Sequence, residues 1–180
     1  MADVANALAY MHANQLGHFD LKSPNVLLEI SSSGRARAVL CDVGHVALAG
    51  ISHHTRPRVG TFGWAAPELL RVDEPRVSVQ ADVWSFGVLA WEISVKQQPW
   101  RGIKPALVIA AVGYGGSTPQ AVEGVTMDEN SDLKLLVDSC FAFDSAMRPQ
   151  MTAILDQLKI LISRTKKLVD TEISSFLCGG

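Results

Sequence analysis

Residues 77–94 limit what this chain can fold into more than any other stretch. Val83, Trp84, Phe86, Val88, Leu89, Trp91 and Ile93 put apolar side chains on most of the circumference of a helix. A surface helix keeps a polar face, whereas a helix that is apolar nearly all round is buried. Val77 to Ser94 is therefore expected as the central helix of a core, with Trp84, Phe86, Leu89 and Ile93 largely inaccessible. At 180 residues the chain is long enough to cover such a helix within one domain.

The rest of the chain reads as shorter elements. Ala2 to Asn14 carries Val4, Leu8 and Met11 at helical spacing and should end before Gly17. Val26 to Ile30 and Ala38 to Cys41 are short β-type runs, and Ser31-Ser32-Ser33-Gly34-Arg35 between them reads as a hairpin turn. Val43 to Gly63 is rich in Gly, His and Thr without a clean period, and reads as loop. Lys104 to Val112, Asp132 to Phe143 and Gln150 to Ser163 read as three further helices. Pro149 precedes the last of them, where a first helical turn tolerates proline. Lys166 to Gly180 loses its pattern and reads as a frayed tail. The expected fold class is α+β, mainly α, with one small β-hairpin. The expected division is a domain over 1–163 and a flexible tail over 164–180.

Composition excludes more than it suggests. A net charge of −2 gives no electrostatic case for nucleic acid, and no basic run marks a membrane surface. No apolar run approaches the ~20 residues of a membrane span, and the first residues lack the charged-then-apolar order of a signal peptide. Cys41, Cys140 and Cys178 are scattered without metal-ligand spacing and read as free thiols of a reducing compartment. A cytoplasmic location is the default expectation. The oligomeric state is not legible.

Three short motifs follow one another in order: Asp20-Leu21-Lys22-Ser23-Pro24-Asn25, Asp42-Val43-Gly44 and Ala66-Pro67-Glu68. The first sets an acid, an amine and an amide on one tight loop. Such a set can orient a hydroxyl, offset charge on a moving phosphoryl group and hold a divalent cation. Taken alone, Asp-x-Lys-x-x-Asn is equally well read as a surface turn with a solvated lysine, and Asp-x-Gly is better read as a turn. Three motifs in this order are not. His45, His53 and His54 have no Cys or acidic partner at ligand spacing, and solvated loop histidines are the better reading.

From about Ala2 to about Ser163 the chain resembles the large, C-terminal lobe of a eukaryotic-type protein kinase. The family's catalytic loop reads H-R-D-L-K-x-x-N, and here it reads His18-Phe19-Asp20-Leu21-Lys22-Ser23-Pro24-Asn25. The resemblance implies that Asp20 accepts the proton of, or orients, a substrate hydroxyl. It implies that Lys22 offsets charge on the γ-phosphoryl group, and that Asn25 and Asp42 hold Mg²⁺. Leu27 would form the floor under the adenine of ATP, supported by Leu89 and Ile93 of the central helix; all three are equally good core residues. Gly60 and Thr61 resemble the closing part of the activation segment, where a Thr bonds the catalytic Asp and Lys. Asp82 would anchor the backbone of the catalytic loop, and His18 would pack beside Asp42-Val43-Gly44. The stretch Cys140 to Pro149 resembles C-W-x-x-D-P-x-x-R-P, which implies a buried ion pair between Arg148 and Glu68.

Two departures stand out. Val43 replaces the Phe of D-F-G with a smaller filler. Phe19 stands where many members carry an Arg that pairs with a phosphorylated activation segment, and Phe cannot do this. Ser52 and Thr55 are phosphosites by position only. Lys22 within Asp-Leu-Lys-Ser-Pro-Asn fits Ser/Thr kinases. Leu89-Ala90-Trp91-Glu92-Ile93, Pro99-Trp100 and Val108 to Gly113 resemble the tyrosine-kinase-like group of Ser/Thr kinases.

No G-x-G-x-x-G loop and no V-A-I-K lysine occur in the sequence, so the small ATP-binding lobe is expected to be absent from this chain. The leading expectation is a Ser/Thr kinase fragment, inactive alone, that transfers phosphate to protein Ser or Thr once its small lobe completes it. The alternative is a pseudokinase-like or truncated lobe that serves as a protein-binding scaffold.

Overall fold

A computed structural model describes residues 1–48, 61–71, 78–121, 125, 127–129 and 131–178. The chain opens with helix α1 (Ala2–Ala13) and strand β1 (Leu16–Gly17), followed by strands β2 (Val26–Ile30), β3 (Ala36–Leu40) and β4 (Ala47–Leu48). Among the described residues, five α-helices follow: α2 (Pro67–Leu70), α3 (Gln80–Val95), α4 (Pro105–Gly113), α5 (Asp132–Cys140) and α6 (Met151–Cys178). The architecture is mainly helical, as the apolar spacing implies.

Helix α3 is the axis of the core. Every residue from Gln80 to Trp91 is buried, with Trp84, Phe86 and Leu89 each 1 % exposed. Gly87 explains how α5 comes so close. A Cβ at Gly87 would lie 2.7 Å from Cys140 Cβ and 3.1 Å from the Phe141 ring, so only glycine admits this approach. The Trp84 and Phe141 rings meet edge to face at 5.1 Å, a geometry that aromatic quadrupoles favour. Each large apolar side chain buried here contributes roughly 1.5–3 kcal/mol.

Ile93 departs from expectation: it is 49 % exposed. Helix α3 emerges from its cover after Trp91, and its last turn lies at the surface until Lys96 stops it in the left-handed conformation, φ 56°. An apolar circumference shows that a helix is buried somewhere. It does not show where the helix leaves the core.

Helix α1 buries Val4, Ala5, Leu8 and His12 on one face. Its Asp3 carboxylate accepts the Ala38 N–H at 3.0 Å and ties the helix to β3. Strands β2 and β3 form an antiparallel hairpin with Val26 opposite Leu40 and Ile30 opposite Ala36. The second strand therefore starts at Ala36, two residues before the expected Ala38, because Gly34 at φ 76° turns the chain within Ser31 to Arg35. A second ladder, β1 with β4, was not legible in the sequence: Leu16 pairs with Leu48, and Gly17 with Ala47. It draws the start of the expected loop back against the strand that precedes the first of the three motifs.

Helix α5 starts at a Ser131 cap, whose hydroxyl accepts the Lys134 N–H at 3.2 Å, and ends at Cys140 rather than Phe143. The residues after Cys140 turn instead, with Asp144 capping the short turn Ser145–Met147. Helix α6 buries Met151, Ile154, Leu155 and Leu158 and then continues to Cys178. The loss of pattern from Lys166 thus marks a stretch that is not packed, since Leu168 is 65 % exposed, and not the end of the helix. Extending an existing helix costs little when residues such as Lys166, Lys167 and Leu168 are good helix formers. No helix among the described residues is long and apolar enough to cross a membrane.

Candidate active site

Asp82, at the start of α3, is fully buried and organises the loop that carries the first motif. Its Oδ2 accepts the His18 N–H at 2.8 Å, and its Oδ1 accepts the Phe19 N–H at 2.7 Å. His12 Nε2 adds a contact to Oδ2 at 3.0 Å. Phe19 is held at φ 61°, a left-handed conformation that costs a non-glycine residue on the order of 1–3 kcal/mol. The two hydrogen bonds that the His18 and Phe19 N–H groups donate to the buried carboxylate offset that strain. The Phe19 ring is 2 % exposed and lies over Gly17, where a Cβ would come within 2.1 Å of it. Phenylalanine at this position is therefore core, and it offers no cation to a phosphate.

The twisted backbone at Phe19 points Asp20 towards Lys22 and Thr61. Lys22 Nζ donates to Asp20 Oδ2 and to Thr61 Oγ1, both at 2.7 Å. Thr61 donates its N–H and its hydroxyl to Asp20 Oδ1, both at 3.2 Å. Asn25 Nδ2 donates to the Asp20 carbonyl at 2.8 Å and to Asp20 Oδ2 at 3.2 Å. Burial acts to push the Asp20 carboxyl up. The Lys22 ammonium, by hydrogen bond and charge, and the two Thr61 donors together outweigh it and hold the carboxyl below the usual aspartate range. Asp20 is thus an ionised acceptor throughout the neutral range.

Asp42 is brought to the same region through its neighbour. The Cys41 N–H donates to the Asn25 carbonyl at 2.9 Å, and His18 Nε2 donates to the Cys41 carbonyl at 3.1 Å. With Nε2 donating, His18 Nδ1 is the acceptor for the Asp20 N–H at 3.3 Å, so the buried His18 links the two acidic motifs. Asp42 itself is exposed and sits at φ 60°. The Asn25 amide nitrogen is spent on Asp20, which leaves its Oδ1 as the oxygen for a hard cation. That oxygen and the Asp42 carboxylate are the donor types Mg²⁺ selects. A pair of protein ligands also suits a metal that keeps waters and takes phosphate oxygens. Among the described residues, no group of three or more His, Cys, Asp and Glu side chains has the form of a metal site.

The remaining site residues fall elsewhere. Leu27 is 54 % exposed on β2 opposite Val39, while Leu89 is buried in the core. Glu68 and Arg148, eighty residues apart, meet in a bidentate pair at 2.7 and 2.8 Å. The other Arg148 N–H groups donate to the carbonyls of Ala142, Gln80 and Phe143. Gly60, Ser52, Thr55, His53 and His54 lie outside the described residues, as does the His45 side chain. Sequence reasoning missed Glu92, which joins Ser23 to Trp64, and Ser85, which donates to the Trp64 carbonyl at 2.8 Å. A charged residue within an otherwise apolar helix was the available signal for Glu92.

Comparisons with known proteins bear on the family. The protein kinase domain family matches residues 1–158. The Arabidopsis thaliana serine/threonine-protein kinase CTR1 is 35% identical over 163 residues, covering 89% of this chain and 19% of the relative. The probable serine/threonine-protein kinase SIS8 of the same plant is 34% identical, covering 88% and 15%. Human mitogen-activated protein kinase kinase kinase 11 is 33% identical, covering 88% and 19%. The chain thus spans about a fifth or less of the length of these relatives. With the family matched over most of its length and the motif residues gathered on one loop system, the chain belongs to the eukaryotic-type protein kinase family.

Proposed function

We propose that this chain is the large lobe of a protein Ser/Thr kinase domain, which transfers the γ-phosphate of ATP to protein Ser or Thr when a small lobe completes the nucleotide pocket. The observation that carries the reading is the triangle of Asp20, Lys22 and Thr61, closed by hydrogen bonds from the catalytic motif to the activation segment thirty-nine residues downstream of Lys22.

Each residue has a chemical part in that reading. Asp20 Oδ1 receives the substrate hydroxyl, competing there with the two longer Thr61 contacts at 3.2 Å. An aspartate held below its usual range is a weak base. It therefore orients the hydroxyl and takes the proton late, which suits a loose transition state with little bond formation to the nucleophile. Lys22, 2.7 Å from Asp20, keeps that carboxylate ionised and carries positive charge to where phosphoryl charge accumulates. Asn25 and Asp42 would hold Mg²⁺. Magnesium supplies charge neutralisation on the ATP phosphates when bound. Leu27 would meet the adenine from its exposed position on β2.

The test is transfer from ATP to a degenerate Ser/Thr peptide, by the isolated chain and by an upstream-extended product of the same gene. The extended protein is expected to be active, the isolated chain to be inactive, and Asp20→Ala to abolish transfer. An inactive extended protein whose partner binding survives Asp20→Ala would replace this reading with the scaffold.

A further inference from the structure

Glu92 lies in the last turn of α3, where that helix leaves the core, and it connects two segments the proposed reaction keeps in register. Its Oε1 accepts the Ser23 hydroxyl at 2.9 Å, and its Oε2 accepts the Trp64 indole N–H at 3.0 Å. Ser23 directly follows Lys22 on the catalytic loop. Trp64 lies three residues after Thr61, at the end of the activation segment. The Asp20–Lys22–Thr61 triangle joins the same two segments on one side, and the Glu92 bridge joins them on the other. Two independent ties fix both the distance and the rotation of one segment against the other; one tie fixes distance alone.

We propose that Glu92 is a positioning residue that holds the catalytic loop against the substrate platform through the geometry of these two hydrogen bonds, not through its charge. The proposal rests on the kinase reading of the same site. Both partners of Glu92 are neutral donors, so the carboxylate acts here as a pair of acceptors at fixed spacing. The Trp64 backbone is anchored separately, by the Ser85 hydroxyl on its carbonyl and by the Trp100 indole on the Gly63 carbonyl at 3.2 Å. Loss of Glu92 therefore frees the indole and the Ser23 hydroxyl without unseating the segment.

The chemistry makes a discriminating pair of variants. In Glu92→Gln the amide oxygen can accept the Trp64 N–H. The amide nitrogen can donate to Ser23 Oγ, because a hydroxyl accepts as readily as it donates. Both links survive and the charge is gone. Glu92→Ala removes both. In the longest product of the gene that carries this chain, with ATP and a degenerate Ser/Thr peptide as probes, Glu92→Ala is expected to lower peptide kcat/KM by about 10- to 100-fold, the scale of a small misplacement of reacting groups. The KM for ATP should stay unchanged, and Glu92→Gln should remain within about threefold of wild type. Glu92→Ala equal to wild type would overturn the proposal, as would Glu92→Gln as damaged as Glu92→Ala.

A second readout is independent of catalysis. The Trp64 indole N–H, assigned in ¹H–¹⁵N spectra by its loss in Trp64→Phe, should exchange slowly with solvent in wild type and in Glu92→Gln, and quickly in Glu92→Ala. Equal exchange in all three overturns the bridge whether or not the protein transfers phosphate. A wild-type protein that transfers none, with the exchange pattern intact, refutes the proposed function and leaves the bridge standing.

Discussion

Arg148 meets Glu68 through two parallel hydrogen bonds, whereas Lys22 meets Asp20 through one. The arginine side chain is fully buried and spends its other N–H groups on backbone carbonyls, and its guanidinium lies 5.4 Å over the Trp84 ring. That pair is closed: every donor has a fixed acceptor, and nothing is left to bind a substrate. The lysine side chain is 20 % exposed and divides its ammonium between Asp20 and Thr61. Its flexible stem and mobile point charge can follow a phosphate, which a planar bidentate fork cannot do without breaking both bonds. The difference separates a charge pair that holds the fold together from one that remains available for chemistry.

The largest expected effect is on the open pair. Asp20→Ala should reduce phosphate transfer by about 10²–10⁴-fold or more, the range for a positioned acid–base group, while the donors it orphans cost about 1–3 kcal/mol of unfolding free energy, less than loss of the closed pair. A comparable loss of folding stability in Asp20→Ala would erase the distinction between the two pairs. Next comes the closed pair. Arg148→Ala leaves the Glu68 charge buried and should cost about 3–5 kcal/mol of unfolding free energy, read from denaturant midpoints. A cost under about 1 kcal/mol would place this pair with ordinary surface bridges.

Asp82→Asn tests the support beneath the open pair. An amide offers one acceptor oxygen where the His18 and Phe19 N–H groups need two, so one buried donor is orphaned at a cost of about 1–3 kcal/mol. Because Phe19 then loses its restraint at φ 61°, transfer should fall in step with stability.

The smallest effect sharpens the electrostatics. Thr61→Val deletes one hydroxyl donor to Asp20 and leaves the N–H. The carboxyl should rise towards its ordinary value, and the acid limb of kcat/KM should move to higher pH. The sign for stability follows from the same shift. A carboxyl depressed in the folded state stabilises fully above its unfolded value of about 3.9, and that contribution is lost as pH falls through the lower folded value. Thr61→Val narrows the gap and should weaken the acid dependence of unfolding. An unshifted or more acidic limb would show that the Lys22 ammonium, released from Thr61 Oγ1, outweighs the lost donor.

Cys140 belongs with the closed region. Burial pushes its thiol up to about 12, despite the Ser139 hydrogen bond and the nearby Arg148, so it packs against α3 as a small apolar group and not as a nucleophile.

How much of this was legible beforehand divides along the range of the forces involved. The residues of the first motif and the Glu68–Arg148 partnership could be named in advance because the order of the motifs along the chain resembles that of the protein kinase family. The buried stretch of α3 could be named because an apolar circumference has one stable location. Ile93 could not be placed, because where a helix exits its cover depends on the segments that fold over it, and sequence spacing carries no record of their reach. The β1–β4 ladder escaped for the same reason: two residues on each side make no periodic signal. Helix α6 ran past its expected end because pattern reports packing, whereas backbone hydrogen bonds sustain a helix without it.

The sequence by itself determined the family and the central helix, since the order of short motifs carries the first and periodicity within one segment the second. Only the tertiary structure decided that Phe19 is core, that Asp82 holds the strained loop from sixty-three residues away, and that Glu92 joins Ser23 to Trp64. Each of those depends on the angle at which a hydrogen bond or a ring meets a distant partner. Such angles are fixed by the packing of the surrounding elements around α3, not by any residue's own neighbours in the chain.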